Sequence, residues 1–389
     1  MKICDLTQSY APRSGGIRTY IQAKRKFILQ NTPHEHLLIV PGDQDTVFRE
    51  GRLTTITVQA KPIKGCEPYR FIWRIDKVAR WLLQERPDVI ELGSAYVLPY
   101  AAFYYRTKHP VPVIGFYHTD YPSAYVQPAI QKLAGPFPAR LAMGLSTLYV
   151  RAIYSAFDAT ITSSSELYRK LRGMGMNHVH HVPLGVDLER FHPQRRNDMV
   201  RQQLGVNSDD LLLVFSGRLD AEKRVDVLLE AFDRASARLN CHLLLIGQGP
   251  LQTLAQQWAS RNPRIKVLPY QTDRDRLAEL LASSDIYVTA GPHETFGLAV
   301  IEAQACGLAV AGVRAGALIE RVPQSAGLLA APDSATSLAD GIYELATNGY
   351  LIKGRQARQW VETRFAWENT FNRLLTLYDQ FSQKYCQSS

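Results

Sequence analysis

Cysteine, long apolar runs and a convincing metal motif are what this 389-residue chain has least of. Its five cysteines, Cys4, Cys66, Cys241, Cys306 and Cys386, are scattered and form no C-x-x-C pair. That spacing argues against a disulfide framework or a zinc site and fits reduced thiols in a cytosolic compartment. No stretch approaches the ~18–20 apolar residues of a membrane span, and the opening MKICDLTQSY lacks a signal-peptide run. No repeat of solenoid period and no low-complexity tract is present. Two Asp-x-Asp pairs, Asp43/Asp45 and Asp273/Asp275, lie in polar loop or helix-start settings where acids are routine. His178, His180 and His181 sit on a short strand whose alternation turns 180 away from 181, so they read as surface histidines. No metal site is expected.

What is present is ordinary for a globular protein: 46% hydrophobic and 21% charged residues, at a length that predicts two domains. The charge is unevenly placed. Residues 1–187 hold 23 Lys and Arg against 14 Asp and Glu, which is the chain's whole excess of +9. Such asymmetry favours an anionic partner for the first half, such as a membrane surface, a nucleic acid or an acidic small molecule; a basic surface that serves solubility is the alternative. No aromatic-basic recognition motif supports nucleic acid.

Short β-branched or leucine-rich runs alternate with amphipathic stretches. In the first half the runs are KICDL, HLLIVPG, TTITVQA, DVIELGS, VPVIGFYH, ATITSSS and HVHHVPLG, with helical stretches near 16–30, 70–86, 139–156 and 164–173. In the second half LLLVFSGRL, CHLLLIGQG, IKVLPY, DIYVTAG, LAVAGV and GLLAAP repeat the rhythm. Buried strands separated by crossover helices mean parallel sheets covered on both faces, and two such series mean two doubly wound α/β domains. The polar, proline-containing PLGVDLERFHPQRRNDMV marks the seam, which we place near residue 187.

Ligands of such sheets sit outside the carboxyl ends of the strands, where four segments carry reactive groups. In LLLVFSGRLDAEKR a strand ends at Ser216-Gly217, and Arg218 and Lys223 precede a helix, an arrangement that suits a diphosphate. Loop pairs with Asp220 and Glu222 are the alternative for these cations. HETFGLAVIEAQACG holds Glu294 before a helix starting near Phe296-Gly297 and Glu302 inside it, with no basic residue in the stretch to neutralise either. At ~1.5 Å of rise per residue the two acids stand on the order of 10 Å apart. That is too far for one acid/base pair at a glycosidic bond, but fits two diol contacts on one extended molecule. Gly15-Gly16 opens a helix and could bring amides against a phosphate. Neither it nor GQGP (Gly247, Gly249) completes G-x-G-x-x-G, so a dinucleotide fingerprint is unsupported. Finally, His118 and Asp120 follow Tyr117 at the end of VIGFYH and are candidates for the reaction centre; a structural histidine is the alternative for His118.

Together these segments resemble glycosyltransferase family four, whose two Rossmann-like domains face each other across a cleft in the GT-B fold. The resemblance runs from the Gly-Gly loop through His118, PLGVD-x-x-x-FHP, GRL-x-x-EK and Glu-x₇-Glu to a terminal helix containing Trp367. The linker departs from the pattern only in PLGVD, where many members have Asn before the glycine. The resemblance implies a first domain over 1–187 that binds the acceptor, a second over 188–366 that binds the nucleotide sugar, and a helix over 367–389 packing back on the first. By the same resemblance Arg218 and Lys223 hold the donor diphosphate, Glu302 the ribose and Glu294 the transferred sugar. Gly217 and the backbone at Phe296, Gly297 and Leu298 line the donor, Gly15 and Gly16 approach the phosphate, and His118 lies near the anomeric carbon. Tyr117 and Asp120 would face the acceptor. The implied reaction is metal-independent, retaining transfer of a hexose of mannose or glucose type from a GDP- or UDP-linked donor to a lipid-linked or glycan acceptor. A nucleotide-sugar 2-epimerase is the alternative. The mixed basic, aromatic and aliphatic stretches IRTYIQAKRKF and PAIQKLAGPFPARLAMGLSTLYVRAIY suit peripheral attachment to the inner face of the cytoplasmic membrane; helices packed on their own sheet are the alternative.

Overall fold

Runs of leucine, isoleucine and valine that are apolar on both sides stay buried only when helices cover both faces of a sheet. A computed structural model describes residues 1–11, 15–63, 69–118, 120, 122 and 126–387 of the chain. It divides into two compact units, Met1–Pro183 with Thr370–Ser389, and Leu184–Asn369. The seam expected at residue 187 lies after Pro183. Val186 already belongs to the second unit: it bridges to Ala366, and its N–H donates to the Phe365 carbonyl at 2.7 Å. The return to the first unit, expected at 367, comes after Asn369.

The first unit carries β1 (Lys2–Leu6), α1 (Gly16–Asn31), β2 (Glu35–Gly42), β3 (Thr46–Glu50), β4 (Leu53–Gln59), β5 (Lys61–Pro62), β6 (Arg70–Phe71) and α2 (Ile75–Glu85). It continues with β7 (Val89–Leu92), α3 (Leu98–Lys108), β8 (Val113–Tyr117), α4 (Gln127–Ala134), α5 (Pro136–Ser155), β9 (Ala159–Thr162), α6 (Ser165–Gly173) and β10 (Val179–His181). Its sheet runs β10-β9-β8-β7-β1-β2-β4-β3, parallel except where β3 pairs antiparallel with β4. The second unit carries α7 (Asp198–Gln203), β11 (Leu211–Ser216), α8 (Val225–Ser236), β12 (Cys241–Ile246), α9 (Gln252–Arg261), β13 (Ile265–Leu268), α10 (Arg274–Ala282) and β14 (Ile286–Val288). There follow α11 (Leu298–Ala305), β15 (Ala309–Val313), α12 (Leu318–Arg321), β16 (Gly327–Ala330), α13 (Ala335–Thr347), α14 (Tyr350–Arg364) and the start of α15 (Trp367–Gln387). Its sheet, β13-β12-β11-β14-β15-β16, is parallel throughout. Every strand read from the sequence is present. β3 escaped because all five of its residues are exposed on the sheet edge, so it shows no alternation. The helix expected from residue 70 starts at Ile75, since Arg70–Phe71 pair with Lys61–Pro62 in a short hairpin.

The first unit also holds a buried ionic cluster. Lys24 of α1 lies between Asp5 of β1 and Glu91 of β7, at 2.7 and 3.0 Å, and all three are 2% exposed. His36 bonds Asp5 at 2.7 Å, the Tyr20 hydroxyl donates to Glu91 at 2.9 Å, and the Tyr378 hydroxyl of α15 also donates to Glu91. Asp5 and Glu91 are register partners on adjacent strands, so the single lysine separates two carboxylates that would otherwise repel. Burial pushes Glu91 up to about 7 against the pull of Lys24. One face of the basic run IRTYIQAKRKF is thus packed on its own sheet, with Lys24 turned inward. Phe371 of α15 adds ring contacts to Tyr20 and Phe27, with centroids 6.0 and 5.3 Å apart.

Removing the lysine strands two buried acids, so Lys24→Met is expected to destabilise this unit by about 3–5 kcal/mol. Tyr378→Phe removes hydroxyl bonds only and is expected to cost about 1–3 kcal/mol. Hydrogen exchange of the α15 amides checks both; unchanged protection in Lys24→Met would contradict the assignment.

Candidate active site

The strand order of the second unit reverses between β11 and β14, so the loops after these strands leave the sheet side by side. They approach closely. A Cβ placed on Gly291 would lie 3.1 Å from both the Glu222 carbonyl and the Lys223 Cα. Lys223 Nζ meets Glu294 Oε1 at 2.5 Å and Glu222 Oε1 at 3.5 Å. Burial pulls the Lys223 ammonium down, but Glu294 and Glu222 outweigh it and leave the pKa above its ordinary value. Arg218 makes the loop pairs that were the alternative to a ligand role, with Asp220 at 3.1 Å and Glu222 at 2.6 Å, and is half exposed. Gly217 follows β11, and a Cβ on Gly247 would fall 1.8 Å from its carbonyl oxygen. The glycines of GQGP therefore serve close packing of β11 against β12.

The β14 loop is held from behind. Gly297, at φ 85°, caps α11 without a side-chain bond. The left-handed turn requires glycine there and leaves the first α11 N–H groups, Leu298 among them, without intrahelical acceptors. The Ala317 N–H donates to the Glu294 carbonyl at 2.8 Å. Buried Arg321 donates from Nε to the Phe296 carbonyl at 3.1 Å, and its guanidinium lies 4.2 Å from the Phe296 ring and 4.8 Å from that of Phe365. Gln304 in turn donates to the Arg321 carbonyl at 2.8 Å.

Glu302 is buried on α11 and pairs with Arg274, the first residue of α10. Neither glutamate is bare, contrary to the sequence expectation. Their counter-ions come from other loops, 71 residues away for Lys223 and 28 for Arg274. Burial nevertheless holds the Glu302 carboxyl above the usual glutamate range, with Arg274 pulling it back. Arg274 and Arg321 were missed because a lone arginine beside a helix terminus carries no signal in one sequence. Asp273 caps α10, accepting from the Asp275 N–H at 2.9 Å, as expected of a helix-start acid. Among the described residues no group of three His, Cys, Asp or Glu side chains could hold a metal ion.

In the first unit the order reverses between β1 and β7. A Cβ on Gly93, just past β7, would lie 3.0 Å from Thr7 Oγ1 and 3.6 Å from His118 Nε2, so His118 stands at this switch point. Its ring stacks on Phe116 at 3.8 Å and meets the edge of Tyr20 at 5.7 Å. Burial and the Lys24 charge bring its pKa down to about 3, so the imidazole is neutral near pH 7. Gly15 caps α1 and Gly16 begins it, and a Cβ on Gly15 would meet nothing within 4 Å. Tyr117 is buried and its hydroxyl donates to Asp120 Oδ1 at 2.9 Å. It therefore supports Asp120, whose other oxygen pairs with Lys170, and is not itself presented to an acceptor.

Comparison with known proteins gives this geometry its family. The model of Glycosyltransferase Family 4 matches residues 14–190, and that of Glycosyl transferases group 1 matches residues 197–364. The chain is 30% identical to the GDP-mannose-dependent alpha-(1-6)-phosphatidylinositol dimannoside mannosyltransferase of Mycobacterium tuberculosis, over 95% of this chain and 93% of the relative. It is 27% identical to a GDP-mannose-dependent alpha-mannosyltransferase of Corynebacterium glutamicum, over 83% of this chain and 74% of that one. A sucrose-phosphate synthase from Thermosynechococcus elongatus superposes with a TM-score of 0.79 at 20% identity, covering 97% of this chain and 98% of the other. HepE from Anabaena, solved with UDP and glucose, superposes at 0.74 and 19% identity, covering 97% and 99%. These two likenesses show the GT-B fold. The relatives named are transferases, which disfavours the isomerase alternative. The chain belongs to glycosyltransferase family 4, of the glycosyl transferases group 1, and is a nucleotide-sugar-dependent glycosyltransferase.

Proposed function

We propose that the protein transfers mannose from GDP-mannose to a glycolipid acceptor, with retention of anomeric configuration and without a metal ion. The observation that carries this reading is the Lys223–Glu294 pair at the β11/β14 switch point, with Glu302 behind it on α11. The sugar nucleotide is supported by the GDP-mannose dependence of the relatives.

In this reading the donor diphosphate takes Lys223 and Arg218 as counter-ions, and the freed Glu294 accepts hydrogen bonds from the mannose hydroxyls. Glu302 accepts from the ribose. The amides from Phe296 to Leu298 line the sugar and phosphate on a turn already set by Arg321. As the glycosidic C–O bond breaks, its electron pair leaves on the GDP diphosphate, where the two cations stabilise it. The acceptor oxygen attacks the oxocarbenium-like sugar from the same face and passes its proton to the departing diphosphate oxygen. Preorganised charge is the main catalytic term in such a site. In the first unit, His118, neutral near pH 7, offers polarity without charge at that unit's own switch point. The two cations supply the charge that a divalent metal ion provides in other transferases.

The membrane reading rests on α5. No Asp or Glu occurs between Asp120 and Asp158. Phe137, Leu141, Leu145 and Leu148, spaced four, four and three apart, are 60–79% exposed on one face of the helix. Leu133 at the end of α4 is exposed beside them, and Arg140 and Arg151 flank the stripe. An apolar stripe with basic flanks suits the surface of an anionic leaflet. No helix of the described residues is long and apolar enough to cross a membrane. We place the protein peripherally on the inner face of the cytoplasmic membrane.

Five outcomes test the proposal. With GDP-mannose and a mannolipid acceptor, Lys223→Ala is expected to lower kcat about 10²–10³-fold, and Glu294→Ala to abolish turnover while GDP binding persists. EDTA is expected to leave the rate unchanged; loss of activity restored by Mg²⁺ would refute metal independence. The pH dependence has a definite sign. Because the Glu302 pKa is raised, its proton persists above the ordinary glutamate range, and the carboxylate that the ribose needs appears only as pH rises further. GDP-mannose affinity, read by calorimetry, should therefore strengthen with pH through that window, and Arg274→Ala should move the rise to higher pH. For the membrane, Leu141→Asp with Leu145→Asp is expected to abolish flotation with anionic vesicles while GDP binding stays intact.

A further inference from the structure

The carboxyl edge of the first unit's sheet carries an exposed aromatic group that none of the roles above uses. Trp73 is 71% exposed, although Ile72 beside it is fully buried. Phe71 packs against the indole with centroids 4.4 Å apart and against Tyr96 at 5.9 Å. The Tyr149 hydroxyl of α5 donates to the Tyr96 carbonyl and ties that end down. The group is fixed to the switch point as well. The Ile72 N–H donates to Gln8 Oε1 at 3.0 Å, and the Gln8 N–H donates to Ser94 Oγ at 3.1 Å. Gln8 follows β1 and Ser94 follows β7. Tyr96 lies three residues beyond Gly93, the residue that abuts His118.

We infer that Trp73, Phe71 and Tyr96 form a shelf on which a saccharide ring of the acceptor stacks, with the Gln8 amide as a hydrogen-bond donor beside it. A pyranose presents an apolar C–H face and a rim of hydroxyls. Aromatic rings match the first, being large and rigid and losing little conformational freedom on contact. The second needs polar partners, and one is available. Gln8 Nε2 is buried and has no hydrogen-bond partner among the described residues, although Oε1 of the same amide is engaged. An orphaned buried donor destabilises the fold until an acceptor meets it. A sugar hydroxyl would meet it and a hydrocarbon chain would not, so the polar donor favours a saccharide over a lipid interface as occupant. The inference rests on the glycosyl-transfer reading and specifies where the acceptor of that reaction is held.

The test uses the full-length protein and methyl α-D-mannopyranoside. Without any donor, titration with this sugar is expected to shift the Trp73 indole N–H resonance saturably, the peak being assigned from Trp73→Phe. With GDP-mannose, Trp73→Ala is expected to raise the KM for the mannoside at least tenfold, leaving the GDP-mannose KM and vesicle flotation unchanged. Trp73→Phe, which keeps an aromatic face, should retain most of the affinity, and Gln8→Leu should raise the acceptor KM alone. A silent indole resonance, or an unchanged acceptor KM in Trp73→Ala, overturns the inference. Loss of flotation with an unchanged acceptor KM also overturns it and makes the shelf a membrane contact. Binding of GDP-mannose, followed separately by thermal shift, shows whether the donor reading survives in either case.

Discussion

An ammonium group drawn largely out of water needs a carboxylate beside it, and the Lys223–Glu294 contact at 2.5 Å supplies one. The pairing joins residues 71 positions apart and so depends on β11 and β14 being neighbours in the sheet. Once they are, the two cations of the β11 loop and the acid of the β14 loop stand in one place. The pair also sets the terms of donor binding. In the proposed reaction a diphosphate would compete with Glu294 for the lysine, and the carboxylate would then be open to hydroxyls. Glu302 and Arg274 follow the same logic one helix away, where an acid in an apolar helix is kept ionisable by a cation from the next loop. Arg321, held between the rings of Phe296 and Phe365, braces the backbone of the Phe296–Gly297 turn through the Phe296 carbonyl.

The first unit obeys the same constraint in its interior. Lys24 separates Asp5 and Glu91, and Tyr378 closes the cluster from the terminal helix. The last residues of the chain thus become structural parts of the first unit. Its carboxyl edge sets neutral His118 at the switch point, with the Phe71, Trp73 and Tyr96 rings tied to the same edge through Gln8 and Ser94.

Much of this was legible beforehand, and the parts that were not share causes. The apolar runs bounded by turns announced the strands, because a strand buried on both faces has few ways to be written. β3 was hidden by its exposure at the sheet edge. α3 was hidden by its composition: LPYAAFYYRTK is apolar or aromatic nearly all round and has no side-chain cap, so it shows no helical face. Arg218, Lys223, Glu294 and Glu302 were visible as candidates because they follow strand ends or interrupt apolar helices. Their partners were not, since Arg274 and Arg321 act through distances that no local pattern encodes. Two basic, aliphatic stretches looked alike and behaved oppositely. In α1, Lys24 turns inward to buried acids, while in α5 the leucines turn outward.

The sequence by itself determined the fold class, the near position of the seam and the residue types offered at each strand end. Periodicity and turn chemistry are local and survive without coordinates. Only the tertiary structure decided which charges meet, which lysine is buried and which tyrosine is buried against an aspartate. Those outcomes depend on strand order and helix packing, and Coulomb and hydrogen-bond energies are set by distance in space, to which separation along the chain is no guide.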